Sequence, residues 1–219
     1  MCAQARWCAA AITLAQSPSR PILIERVFQS SLSHSNSISD LSKTNQRTVR
    51  RLWKQKPVSV DKITGLFNTI ENTFYKENPN FEPSDWNKPT TELNYAPLPG
   101  RLKPLSNGKE LLHVTTDTLE IHVDKGTRLN GTRVGVHVHE NAGITFVMRG
   151  KKGGITDFVE GYTNTFNPTG HYYYMPADTM MSASNFSGSD VMLMDLFITQ
   201  PGEPPITILE PGYPGYVPG

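Results

Sequence analysis

The chain has 219 residues, with 21 Lys and Arg against 20 Asp and Glu, 17 Gly, 17 Pro and 2 Cys. That suits one medium globular domain with some extra chain and excludes a disulfide scaffold. A net charge of +1 argues against a dedicated nucleic-acid binder, and the longest nearly apolar run, Trp7 to Ala15, falls far short of the roughly 20 residues a membrane-spanning helix needs.

The charge is unevenly distributed. Residues 1–57 hold nine basic residues against Glu25 and Asp40, together with nine serines and both cysteines, Cys2 and Cys8, which leaves −6 for the rest of the chain. An acid-poor, Arg- and Ser-rich start reads as an organellar transit peptide; a secretory signal built on Trp7 to Ala15 and a disordered tail of a cytoplasmic protein fit the same composition. The basic run from Arg47 to Lys56 reads as solvated. Without this leader the chain has no cysteine, so thiol catalysis, thiolate metal sites and disulfides are all excluded.

Residues 58–104 form the next unit. Ser59 precedes Ile63, Leu66, Phe67, Ile70 and Phe74, a three- and four-residue spacing that predicts a helix of about four turns with one apolar stripe, stopped by Pro79 and packed on a sheet. From Phe81 to Pro104 the density of proline predicts an extended arm over the domain rather than a regular element.

Residues 105–210 change to a period of two. Leu119, Ile121 and Val123 alternate with polar residues, as do Val134, Val136 and Val138. Short runs follow at Ile144 to Met148, Ile155 to Val159, Tyr172 to Met175 and Val191 to Thr199, separated by turns such as Gly150 to Gly154 and Pro176 to Asp178. Many short strands at regular spacing predict an all-β jelly-roll barrel. The remainder, 211–219, is a proline-rich tail, and Ile206 to Leu209 can add one edge strand.

The most informative feature is Gly131-Thr-Arg-Val-Gly-Val-His137-Val-His139. Two histidines two residues apart on a strand point to one face and can offer imidazole nitrogens to one ion or ligand. By the same parity Thr145 is the best polar group near the pair, and Tyr173 faces opposite to Tyr172 and Tyr174. One set of tyrosines lines the cavity with hydroxyls, or the run packs on the outer face, under the N-terminal helix or at a dimer interface. Met181 and its neighbour Met180, with Met192 and Met194, suit either a cavity wall or ordinary core. His171 and His122 read as surface or satisfied core histidines, and His113 and His34 carry no signal.

This arrangement resembles the cupin family, whose first motif runs G-x5-H-x-H-x3-4-E-x6-G and whose second runs G-x5-P-x-G-x2-H-x3-N. Gly131, His137, His139 and Gly150 match the first motif, with Gly143 where the family has Glu. Gly170, Pro176 and Asn185 match the second, with Asp178 in place of Gly and Met181 in place of the third His. The resemblance implies a single cupin barrel, a homodimer, no organic cofactor, and a small molecule as the partner. In metal-dependent members the two His, the Glu and the third His hold Fe, Mn, Cu, Ni or Zn.

Because Glu and the third His are replaced, three readings stay open. A metal binds through His137 and His139 with Met181, or with a recruited carboxylate from Asp157, Glu160 or Asp195; Glu140 points away by alternation. Alternatively His137 or His139 acts as an acid or base without metal, or the barrel binds a small molecule without reacting. For an enzyme, His137, His139, Thr145 and Tyr173 are the candidate catalytic residues, and oxygenase, isomerase and lyase chemistries are all compatible with the resemblance.

Overall fold

A computed structural model describes residues 59–86, 88–148 and 152–218. The leader of residues 1–57, and residues 149–151 of the turn expected at Gly150 to Gly154, lie outside the described residues. Among the described residues, no helix is long and apolar enough to cross a membrane.

Helix α1 spans Val60–Glu77, with Ser59 as its N-cap residue and Asn78 at its C-cap. Its stripe buries Ile63, Phe67 and Ile70, with Leu66 and Phe74 packed at the margins. The surface beneath is a sheet, as the spacing predicts: Ile121, Val123, Ile144, Phe146, Met194 and Leu196 complete the cluster. Pro79 follows within two residues of the helix end, where the chain can no longer continue α-helically.

The arm is more regular than its proline content suggests. Strands β1 (Glu92–Leu93) and β2 (Ala96–Pro97) form a hairpin, and β3 (Arg101–Leu102) pairs parallel with β6 (Thr132–Arg133). Pro97 is tolerated because this hairpin has no further strand beyond it to receive a ladder bond.

The remaining strands are β4 (Ser106–Thr115), β5 (Glu120–Arg128), β7 (His137–Val138), β8 (Gly143–Val147) and β9 (Gly154–Val159). They continue with β10 (Thr165–Pro168), β11 (Tyr172–Met175), β12 (Met181–Asn185), β13 (Val191–Thr199) and β14 (Thr207–Ile208). One sheet has the order β11-β8-β13-β5-β4. The other runs β10-β9-β12-β6-β3, with β7 joining β12 to β14. Val134, Ile155, Met181 and Ala183 of the second sheet region pack against Val147, Tyr173, Met175, Leu193 and Phe197 of the first, forming the interior cluster. Two facing sheets in this order, antiparallel except for the β3–β6 pair, form the jelly roll.

The alternation Val134 to His139 does not give one continuous strand. It divides into β6 and β7 around Gly135, where an added Cβ would lie 2.8 Å from Tyr213 Cβ. The tail packs its Tyr213 side chain directly against the backbone at that point. The tail is fixed by a buried pair: Arg133 donates to both oxygens of Glu210 at 2.5 and 2.6 Å, and Glu210 also accepts from the Val136 amide at 2.9 Å.

Candidate functional site

Between the sheets lies a partly open cavity of about 250 Å³. All five residues singled out by strand parity and motif spacing line it: His137 from β7, His139 just after it, Thr145 from β8, Tyr173 from β11 and Met181 from β12. Met181 is the direct cross-strand partner of His137. Tyr174, on the opposite face, bonds Glu71 of α1 at 2.8 Å and packs with Phe67 and Phe74. Both expectations for the tyrosine run therefore hold, for alternate residues.

The two imidazoles are fixed by backbone carbonyls. His137 Nδ1 lies 2.8 Å from the Gly135 carbonyl and His139 Nδ1 lies 2.7 Å from that of Pro205. A carbonyl only accepts, so each Nδ1 carries the proton and each Nε2 keeps its lone pair. His139 Nε2 is buried and makes no hydrogen bond. Burial drives both pKa values down from 6.5, His137 to about 3, helped by the neighbouring His139, and His139 to about 4 against the opposing Pro205 carbonyl. Both rings are neutral at ordinary pH.

Four acidic or basic residues join them, Asp124, Arg128, Asp157 and Asp195; burial and the Glu110 charge raise the half-buried Asp124, the cross-strand partner of Asp195. Sequence parity left the facing of Asp157 and Asp195 undecided, and Arg128 carried no signal; all three line the cavity. Burial raises Asp157 from 3.8 to about 7, only partly offset by the Phe158 backbone. It raises Asp195 to about 6, against the hydrogen bond from Thr145 and the charge of Arg128. Thr145 Oγ1 donates to Asp195 at 2.6 Å. Arg128 is 3% exposed, donates one Nη1 bond to the Lys103 carbonyl and leaves Nε without a partner. Among the described residues no carboxylate lies within ion-pair distance of it, whereas both terminal nitrogens of Arg133 bond Glu210, although its Nε too has no partner.

Glu140 and Glu160, the other carboxylates within sequence reach, are used elsewhere. Glu140 accepts from Thr207 and Glu160 accepts from the Asn94 amide of the arm. A larger outer cleft of about 510 Å³ lies between α1 and the barrel and is lined by aromatic residues such as Phe74, Tyr162 and Tyr172. Asp157 and Tyr173 line both spaces, so they form the wall through which cleft and cavity meet.

The metal implied by the family resemblance can be tested against these donors. A side chain at position 143, where the family has Glu, has no room: its Cβ would lie 2.6 Å from Phe197 Cε1 and 2.7 Å from Met175 Cε. Phe197 stacks instead on His139, with centroids 4.9 Å apart. Among the described residues no third His, Asp or Glu ligand atom gathers with the His137 and His139 nitrogens; the one such group lies on β4 and β5. Two neutral imidazoles and a thioether are too few donors, with too little charge, for iron, manganese, nickel or zinc, and would suit only a soft ion such as copper(I).

The two facing sheets form a jelly roll, and its cavity-facing histidine pair resembles the arrangement in cupin, or double-stranded β-helix, proteins. Several solved structures are similar to part of this chain. An uncharacterized protein with a double-stranded β-helix domain from Klebsiella pneumoniae is 15% identical, covering 61% of this chain and 93% of that chain at a TM-score of 0.35. A cupin-like protein from Thermotoga maritima is 13% identical, covering 49% and 86%, also at 0.35. An oxalate oxidase in complex with the substrate analogue glycolate is 15% identical over 41% of this chain, at 0.35; the match spans only 46% of that enzyme's length. No family model and no curated protein matches the chain.

Proposed function

We propose that this protein is a small-molecule enzyme of the cupin type that moves protons without a metal in its cavity, an isomerase or lyase acting on a small anionic substrate. The observation that carries this reading is the convergence on one cavity of a carboxyl held near neutrality, Asp157, and a buried guanidinium, Arg128, with no carboxylate within ion-pair distance among the described residues and only the field of Asp195 nearby. A buried charge without a partner is costly unless a ligand supplies one, so Arg128 anchors the substrate anion. A group whose pKa lies near the working pH is the most effective proton carrier, so Asp157 takes a proton from substrate carbon and returns it. The neutral histidines accept hydrogen bonds at Nε2 from substrate hydroxyl or amine groups, and Tyr173 and Thr145 orient the pair Asp157 and Asp195.

The test is a thermal-shift screen of small carboxylates, phenols and sugars, with any hit assayed for turnover. Stabilisation by carboxylates that is lost in Arg128→Gln, with turnover lost in Asp157→Asn, supports the enzyme. Binding without turnover in the parent protein would replace it with a non-catalytic binding module.

A further inference from the structure

The described residues bring three metal-ligating side chains together at one point, and it is outside the cavity. His113 on β4 and His122 on β5 are direct cross-strand partners, so their side chains share a face. Glu120, two residues before His122, shares it too. The rings stack with centroids 4.5 Å apart at 28°. Glu120 Oε2 lies 3.4 Å from His122 Nε2 and 3.8 Å from His113 Nε2, and one ligand atom from each residue falls within 4.8 Å of the others.

Metal–ligand distances of about 2.0–2.2 Å around a tetrahedral zinc place neighbouring ligand atoms roughly 3.4 Å apart. The two edges of the cluster to Glu120, 3.4 and 3.8 Å, are already close to that value, and its imidazole nitrogens, within the 4.8 Å that bounds the group, close by at most about 1.4 Å. Its surroundings are built as a ligand set requires. Thr115 Oγ1 donates to the other carboxylate oxygen, Glu120 Oε1, at 3.0 Å, and Glu110 Oε2 lies 3.8 Å from His113 Nδ1. Outer carboxylates and hydroxyls of this kind orient ligating side chains. His122 Nε2, although buried, makes no hydrogen bond.

We propose that the divalent-cation site of this protein is the His113–Glu120–His122 cluster: two imidazoles and one carboxylate holding zinc or a neighbouring first-row dication, with water in the remaining position. The placement is specific to this fold. Phe197 is the cross-strand partner of His122, and its ring is stacked on His139. The aromatic side chain that closes the interior position to a carboxylate therefore also separates the two histidine pairs. This inference does not depend on the proton-transfer reading of the cavity.

The experiment uses the full chain carrying Cys2→Ser and Cys8→Ser, made without a histidine tag, stripped with EDTA and titrated with zinc against a chromogenic chelator. One equivalent is expected, with a zinc-dependent rise in Tm. His113→Gln and Glu120→Gln are expected to weaken binding at least tenfold. His113 is exposed, with 41% of its side chain accessible, so its variant should match the parent in metal-free Tm. His137→Gln should bind zinc as the parent does. Absence of stoichiometric zinc in the parent, retention of it in both cluster variants, or its loss in His137→Gln alone would overturn the proposal.

Discussion

Phe197 lies against His139, ring centroids 4.9 Å apart and planes 28° from parallel, and it stands where a side chain at position 143 would have to go. One aromatic ring thus replaces a carboxylate in the cavity and covers the face of a histidine that would otherwise sit beside it. Gly143→Glu alone should misfold or lose several kcal/mol, because the new Cβ meets a packed ring. Phe197→Ala alone should cost about 3–5 kcal/mol from the cavity it opens. The double variant should recover part of that loss and gain a third ligand beside His137 and His139. Metal analysis of the double variant in a His113→Gln background checks this; a metal-free product would show that geometry as well as space forbids the site.

Activity should follow the cavity carboxyls in its pH dependence. His137 and His139 stay neutral down to about 4, so neither produces a limb near neutrality. Asp157, at about 7, is the group that must be ionised to accept a proton, so kcat/KM should rise with pH and level above about 7. Asp157→Asn should lower kcat by roughly a hundred- to ten-thousand-fold and remove that limb. A pH–rate profile of parent and variant on any substrate found by screening decides it; an unchanged limb would move the role to Asp195.

The sequence makes some of these features readable and conceals others for physical reasons. Helix α1 is visible because five apolar residues repeat at helical spacing on a half-exposed surface. The histidine pair, Thr145, Tyr173 and Met181 are visible because strand parity and motif spacing together fix one face. Strand β12, Met181-Ser-Ala-Ser-Asn185, is not, since all five residues are buried but only Met181 is large and apolar. Strand β4 is hidden for the opposite reason: an edge strand in solvent needs no alternation. Asp195 sits in Val191-Met-Leu-Met-Asp-Leu196, apolar at both parities, where alternation cannot say which face is inward. The meeting of His113 and His122 depends on the β4–β5 register, which bulges shift by whole residues.

Stability should respond to pH in two opposing ways. Asp157 and Asp195 have raised folded-state values, so the stabilisation they give is complete below about pH 4 and is lost as pH rises toward about 7 and 6. His137 and His139 are depressed, so theirs is complete above about 6.5 and is lost as pH falls toward about 3 and 4. The opposing slopes flatten the parent curve in between. Asp157→Asn removes one of the terms that fall with pH, so the variant should gain on the parent as pH rises, by up to roughly 4 kcal/mol. Urea midpoints at about pH 5 and pH 8 measure it; a variant that loses ground at the higher pH would contradict the assignment.

The Arg133–Glu210 pair should be the strongest single tie between the tail and the site. Glu210 is 2% exposed and receives both guanidinium nitrogens and the Val136 amide, one residue before His137. Strand β14, just upstream, pairs with β7 and holds His137 opposite Ile208. Glu210→Ala leaves a buried guanidinium without its counter-charge, held only by the Val134 carbonyl, and the Val136 amide without a partner, at a cost of about 3–5 kcal/mol. Replacing both ends, Arg133→Met with Glu210→Leu, removes the stranded charge and should return most of that loss, because apolar side chains of similar volume need no counter-ion. The Val136 amide stays unpaired in the double variant, so recovery should stop about 1–3 kcal/mol short. Urea denaturation of the parent and the two variants checks the order. A double variant less stable than Glu210→Ala would mean that the pair contributes net attraction rather than mutual neutralisation.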